Sequence, residues 1–428
     1  MTDTAPAVPE TTTLTALLEE APDLRRRLGG TSQDWTIDEV GDANVNFVFR
    51  VGGPEGAVCV KQAPPYVRVA GRSWPLTPER VVYEYRALEE HGRAAPGAVP
   101  TPLHLERDAH LLVMEFVEGQ TVLRHHLSRG GVHPGLGEQV GGYLARTLFA
   151  TSDLGMDAGR KRDLVAEFET NTEMCRMTEE MVFTEVYHDF HRNRWTTPDL
   201  DAEVLALRSD SEVLTAVSRL KYRYLTSREA LLHGDLHTGS VMVGAGCSRV
   251  FDHEFACFGP LGFDIGGFLA HLLIAYFAAD ARDGGRRRAV AGESVQQMWL
   301  LEEVERTWDA FREGFLDRWR SAAHGSAFPA RLFTGPGAEV ALEAERSAYL
   351  ERVLTDAVGF CGAELIRRLV GFARPVDLTG IGDRATRAGC EIRAMRLARS
   401  LLTEADGYRS VADVTAAARH LRAGWYPG

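Results

Sequence analysis

Apolar residues recur at two spacings along this chain, and the change from one to the other divides it. Leu14, Leu17, Leu18 and Leu24 follow helical spacing up to Gly29-Gly30, which predicts one amphipathic helix over residues 11–28. Residues 35–40, 47–51 and 57–62 alternate or run apolar with turn residues between them, the pattern of an antiparallel meander. A helix over 79–90 and strands over 103–107 and 111–116 complete this part, which Glu118 and Gly119 close. Beyond it the period is helical, with helices predicted over 137–149, 164–182, 202–225 and 357–370. Short apolar runs at 231–232, 241–243 and 250–251 interrupt that period as buried strands, and the turn-rich residues 244–248 join the last two. Residues 280–292, rich in arginine and glycine, read as an exposed loop. The class is α+β: a five-stranded antiparallel sheet with a helix over residues 1–118, then a helix-rich part over 119–428.

A length of 428 residues with 45% hydrophobic composition is enough for two buried cores. The 48 Lys and Arg against 60 Asp and Glu give a formal net charge of −12, and no basic run is longer than the three arginines at 286–288. Nucleic acid and anionic membrane are therefore not expected as partners. The opening MTDTAPAVPETTT lacks the basic flank and apolar core of a secretion signal, and no apolar run of roughly 18 residues is apparent, so a cytoplasmic location is expected. Cysteines 59, 175, 247, 257, 361 and 390 show no CxxC spacing, which predicts neither disulfides nor zinc but small buried hydrophobes.

The segment LLHGDLHTGSVMV (231–243), followed by VFDHE (250–254), carries the most chemistry. Phosphoryl transfer from ATP uses an Asp beside the acceptor hydroxyl, a polar residue a few positions on at the metal, and a further Asp on Mg²⁺ after one hairpin. Asp235, Ser240 and Asp252 stand in that order, at strand ends. A turn with a capping Asp would explain HGD alone. It would not explain the flanking His233 and His237, the small Gly234, Gly239 and Ser240, and the DxE pair together. Asp235 is therefore the expected catalytic residue, accepting the proton of the attacking hydroxyl or orienting that hydroxyl. Asp252 and Glu254, with Ser240, are expected to hold Mg²⁺, and on a regular strand residues 252 and 254 share a face while His253 turns away.

Lys61 ends the third strand in VCVKQA. A lysine emerging from a buried strand needs an anion, here the ATP α- and β-phosphates; a solvent-facing strand lysine is the alternative. Glu84, on one helix face with Leu88, is either its counter-ion or a solvated helix glutamate. Glu115, near the end of the fifth strand, completes the nucleotide-binding set.

HGDLHTGS and FDHEFACFGPLGFDIGGFLAHLLIAYF (251–277), with GDANVNFVFRV (41–51), VCVKQAPPYVRVAGRSWPLTPER (58–80) and LIRRLVGFARPVDL (365–378), resemble the 5-methylthioribose kinases, a branch of the aminoglycoside phosphotransferase and choline kinase group. The similarity spans most of the chain. It implies a protein-kinase-like two-lobe fold, with nucleotide held by the N-terminal lobe and the catalytic loop and substrate site in the helical lobe. It also implies ATP and Mg²⁺ as cofactors, a small-molecule sugar as acceptor, and a homodimer, because relatives are often dimers.

By the same resemblance residues 41–46, whose composition alone describes an ordinary hairpin, become the phosphate loop, with Asn44 and Asn46 donating to phosphate in place of glycine backbone. Arg367 and Arg368 match the arginine pair near substrate and transferring phosphate, a task that suits planar donors; two surface arginines are the alternative. Consecutive helix residues point about 100° apart, so one of the two is expected to face the site. Trp74 matches an aromatic lid residue, or anchors its proline-containing loop, and His237 joins the substrate set. The chain departs from the family at His253, where proline is usual, and at Arg374-Pro375, which replaces a histidine after the arginine helix.

The implied reaction is ATP-dependent phosphorylation of 5-methylthioribose at its anomeric hydroxyl, in methionine salvage. Another 5-substituted ribose, a nucleoside or an aminoglycoside antibiotic is the alternative acceptor. A nucleotide-binding pseudokinase is a third reading, against which the retained Lys61, Asp235 and Asp252 argue.

Overall fold

The computed structural model describes residues 11–41, 44–282, 292–322 and 325–424. The chain divides into two compact units, one holding residues up to Gly119 together with Phe251–Phe255, the other Gln120–Val250 and Ala256–Gly428. Residues 42–43 of the expected phosphate loop, and 283–291 of the expected arginine-rich loop, lie outside the described residues.

In the first unit β1 (Thr36–Glu39), β2 (Phe47–Gly52), β3 (Ala57–Gln62), β4 (Pro102–Glu106) and β5 (Leu111–Glu115) form one antiparallel sheet in the order β1-β2-β3-β5-β4. The helix predicted over 11–28 is two helices, α1 (Thr11–Glu20) and α2 (Pro22–Leu28). Pro22 has no N–H to continue the ladder, and it forces the preceding Ala21 into an extended conformation. Leu14, Leu18, Leu24 and Leu28 from these helices pack with Val51, Val58, Val60, Leu111 and Val113 in one core. Val58 and Val60 face that core, so strand alternation turns Cys59 and Lys61 to the opposite face of β3. There α3 (Arg80–Ala94), longer by a turn than its predicted span, brings Glu84 to Lys61.

The second unit is built mostly of helices. β6 (Thr121–Val122) leads into α4 (Leu123–Ser128), followed by α5 (Leu136–Ala150), α6 (Ala158–Phe168), α7 (Thr172–Phe183), α8 (Asp201–Ser209) and α9 (Ser211–Thr226). β7 (Ala230–Leu232), the hairpin β8 (Val241–Gly244) to β9 (Cys247–Val250), and β10 (Cys257–Gly259) come next. They pair as a three-stranded sheet β6-β8-β9 and a two-stranded sheet β10-β7. The rest is α10 (Gly262–Arg282), α11 (Val295–Ser321), α12 (Ala338–Val370), the short α13 (Val376–Thr379), α14 (Arg384–Thr403) and α15 (Val411–Ala423).

Several predicted helices differ here. The span 164–182 breaks between α6 and α7, where Asn171 Nδ2 turns inward to donate to Ala256 O at 3.1 Å. The span 202–225 breaks at Asp210, whose carboxylate accepts from Glu212 N at 2.9 Å and Val213 N at 3.4 Å and so starts α9 as its cap. The helix carrying the arginine pair begins at Ala338, well before 357. Residues 280–282 belong to α10 and not to a loop. Contrary to the reading of the sequence, α10 is long and apolar enough by length and composition to cross a membrane. Of its most apolar window 94% is buried inside the unit, which accounts for that apolarity. Cys247 is exposed, not buried.

α10 runs against α12 at backbone distance because Gly262 and Gly266 face it. A Cβ at Gly266 would lie 2.5 Å from Ala357 O and 2.7 Å from Cys361 N. Gly266→Ala is therefore expected to force the two helices apart and to lower stability by about 1–3 kcal/mol, measured as a shift in denaturant midpoint.

Candidate active site

The first unit gathers one charged cluster around β3 and α3. Lys61 Nζ is 2.7 Å from Glu84 Oε2, in short contact with Asp252 Oδ1, and 4.0 Å from Glu254 Oε2. Asp252 and Glu254 do not lie on a regular strand as expected. Asp252 has φ +73°, and a 3-10 turn over His253–Phe255 follows. Both acids still meet Lys61, because the left-handed residue and the tight turn coil the chain back on itself. His253, where the family has proline, is fully buried, with its ring edge-on to His91 of α3 at 5.1 Å.

Asn46 is also placed differently from its expected role. Its Nδ2 donates to Glu254 Oε2 at 2.6 Å, and its Oδ1 accepts from Arg80 Nε at 2.9 Å. It is a buried brace for an acid, whereas Asn44 is exposed.

Three carboxylates share this cluster with two cations, Lys61 and the fully buried Arg80, which lies 3.4 Å from Glu254. Burial pushes the Glu84 carboxyl up to about 8 despite Lys61, and raises that of Glu254. Burial opposes the charge on Lys61, but Asp252, Glu254 and Glu84 outweigh it and hold its ammonium firmly protonated. A carboxyl lifted as far as that of Glu84 holds a proton near neutrality, and a bound cation would displace it. Oxygens of Glu84, Asp252 and Glu254 all lie within 4.8 Å of one another, a donor set that fits a hard divalent ion. Glu84 and Glu254 have side chains only 1% and 2% exposed, against 42% for Asp252, so Asp252 is the acid with open access.

Two other residues are assigned to this unit. Glu115 Oε2 accepts from the backbone and hydroxyl of Thr101, both at 3.2 Å. Trp74, half-buried, follows a 3-10 turn, with its carbonyl accepting from Val67 N at 2.9 Å.

The second unit centres on Asp235. β7 ends at Leu232, and Gly234, at φ +87°, turns the chain sharply. Asp264, in the first turn of α10, holds that turn by accepting from His233 N at 2.6 Å and Gly234 N at 3.0 Å. Asp235 Oδ1 accepts from Arg367 Nη1 at 3.2 Å and Arg368 Nη2 at 2.9 Å, while His237 Nε2 lies 3.4 Å from its Oδ2.

Both arginines reach this acid, contrary to the expectation that helix geometry would direct only one of them. Glu364, three and four residues earlier on α12, draws them together: its Oε1 accepts from Arg367 Nη1 at 2.9 Å and Arg368 Nε at 2.6 Å. Burial disfavours the Asp235 charge, yet His237, Arg367 and Arg368 outweigh it and hold the carboxyl well below the ordinary range. The side chain nevertheless remains 25% exposed.

Ser240, expected at the metal, braces the loop in this structure. Its hydroxyl accepts from His237 N at 2.9 Å and lies 3.2 Å from Asp235 O and 3.0 Å from His237 O, so its hydrogen-bonding capacity serves the turn that carries Asp235.

The reading of the sequence passed over Arg80, Asp264 and Glu364. For two of them the signal was a charged residue inside an apolar run: Asp264 in PLGFDIGGF, and Glu364 at helical spacing before an arginine pair in AELIRR.

The description "Phosphotransferase enzyme family" matches residues 37–299. A methylthioribose kinase of Escherichia coli is 38% identical over 392 residues, covering 91% of this chain and 92% of its own. Methylthioribose kinase 1 of Oryza sativa subsp. japonica is 38% identical over 404 residues, covering 94% and 92%. A methylthioribose kinase of Yersinia pseudotuberculosis is 39% identical over 386 residues, covering 90% of each. By this identity over nine-tenths of its length, the chain belongs to the methylthioribose kinase family, a branch of the phosphotransferases.

Proposed function

We propose that this enzyme transfers the γ-phosphoryl group of ATP to the anomeric hydroxyl of methylthioribose, a step of methionine salvage. The observation that carries the reading is the Asp235 carboxylate, partly open to solvent and gripped by His237, Arg367 and Arg368. Its depressed proton affinity makes it first an orienting acceptor for the attacking hydroxyl, and a proton acceptor once the hydroxyl acidifies late in transfer. The arginine pair supplies planar donors for the incoming phosphoryl oxygens.

In the first unit Lys61, held by Glu84, binds the α- and β-phosphates. Asp252, with Glu254 behind it, would hold Mg²⁺, which when bound neutralises phosphate charge. ATP as donor fits the expected cytoplasmic location, and the homodimer implied by the resemblance is checked by sedimentation.

A screen of ATP consumption with methylthioribose, other 5-substituted riboses, nucleosides and aminoglycosides tests the acceptor, with phosphorus coupling to the anomeric proton identifying the position. Turnover confined to the other acceptors, or none at all, overturns the reading.

Arg367→Lys and Arg368→Lys are each expected to lower kcat by roughly 10-fold, because an ammonium keeps charge but cannot serve Asp235 and Glu364 at once as a fork does. Wild-type kcat and KM in both variants, with unchanged thermal melts, would remove the pair from the acceptor site.

A further inference from the structure

Pairing of Thr121 with Val243 and Val122 with Met242 brings the start of α4 alongside the segment after Asp235. Arg124 there donates its backbone N–H to Thr238 O at 2.8 Å, and its Nη2 lies 3.2 Å from His237 Nδ1. Gly239 leaves the room for both groups, since a Cβ at that position would stand 2.8 Å from Arg124 Cζ and 2.7 Å from His237 Cε1. Behind Arg124 the buried Asp377 of α13 places Oδ2 4.0 Å from its Nε.

His237 Nδ1 therefore faces two donors, the Arg124 guanidinium and the Gly239 N–H at 2.9 Å. A ring nitrogen that faces donors is the unprotonated one, and the hydrogen sits on the other. That other nitrogen, Nε2, is the one 3.4 Å from Asp235 Oδ2.

We infer that Arg124 is a positioning residue that fixes His237 as the Nε2–H tautomer and so aims one imidazole N–H at Asp235 Oδ2, leaving Oδ1 to the arginine pair. The inference rests on the reading of Asp235 as the group that meets the acceptor hydroxyl. Arg124 acts through His237 and not on the substrate. The surroundings agree with a neutral ring. Burial, reinforced by Arg124 and Arg368, pulls the His237 imidazole down to about 4 against the opposing pull of Asp235. The buried His271 of α10 packs on its face at 4.9 Å.

The test uses the full-length enzyme labelled with ¹⁵N-histidine, as wild type and as Arg124→Met, with Arg124→Lys as the milder variant should the first fail to fold. Wild type is expected to show His237 Nδ1 unprotonated and Nε2 protonated. In the variant the two ring resonances should move toward each other, and kcat with methylthioribose should fall roughly 10- to 100-fold, the scale of a small misplacement. KM for ATP should stay unchanged, and added guanidinium ion should restore part of kcat.

Wild-type ring resonances in the folded variant, or a loss of kcat that guanidinium does not relieve, would overturn the inference. The resonances need no acceptor, so failure of methylthioribose as a substrate would count against the proposed function alone.

Discussion

Asp235→Asn lowers kcat by about 10²-fold or more while leaving Mg²⁺-ATP binding intact, the loss expected when the group that orients and deprotonates the attacking hydroxyl is neutralised. The contacts sharpen this. Wild-type Oδ1 accepts from both Arg367 and Arg368, and Oδ2 faces His237. An amide offers one accepting oxygen, so its NH₂ must point at a donor. Either the two guanidiniums or the imidazole then loses its partner, and Glu364 is left to balance both arginines. The acceptor hydroxyl accordingly meets a donor where it met an acceptor. Single-turnover kinetics with saturating ATP, alongside calorimetric ATP binding, check the result, and near-wild-type kcat would take Asp235 out of the mechanism.

Asp252→Ala removes the accessible member of the other cluster and is expected to abolish the divalent-ion-dependent part of ATP affinity. The fold should survive, because Lys61 keeps Glu84 beside it and Arg80 keeps Glu254. What disappears is the one carboxylate of the donor set with open access. A bound ion is worth several kcal/mol of charge stabilisation, so kcat falls by about 10²-fold or more. Calorimetry with and without Mg²⁺ reads the effect, and an unchanged Mg²⁺-ATP affinity would end the metal role of Asp252.

The places of Lys61, Glu84, Asp235, Asp252 and Glu254 in the fold were legible because each stands at a fixed distance along the chain from a strand or helix whose period shows in the sequence. Strand alternation alone turns Lys61 away from the leucines of α1 and α2. The contacts of Asn46, Ser240 and Glu364 were not foreseen because their partners are remote or their geometry irregular. Asn46 meets an acid more than 200 residues away. Ser240 spends its hydroxyl on a loop whose shape depends on Gly234 at positive φ. The convergence of Arg367 and Arg368 needed a third residue, Glu364, that helix geometry applied to two residues leaves out. Helix breaks at Pro22 and Asp210 had local signals, since proline and a capping aspartate both mark starts. The apolar pattern ran through them and concealed the interruption.

The five residues Phe251–Phe255 make the first unit discontinuous, with consequences for any attempt to express it alone. A fragment ending at Gly119 would carry the whole sheet and α3 yet lack the 3-10 turn that docks on them. Asn46 and Arg80 would lose Glu254, Lys61 would keep Glu84 as its lone acid, and the ring of His91 would lose the cover of His253. Cutting the chain at the unit boundary thus removes part of the fragment's own interior, and its folding is coupled to a segment synthesised more than a hundred residues later. Truncation, permutation or fusion schemes that treat residues 1–119 as a free-standing module will produce a chain that lacks part of its charged core.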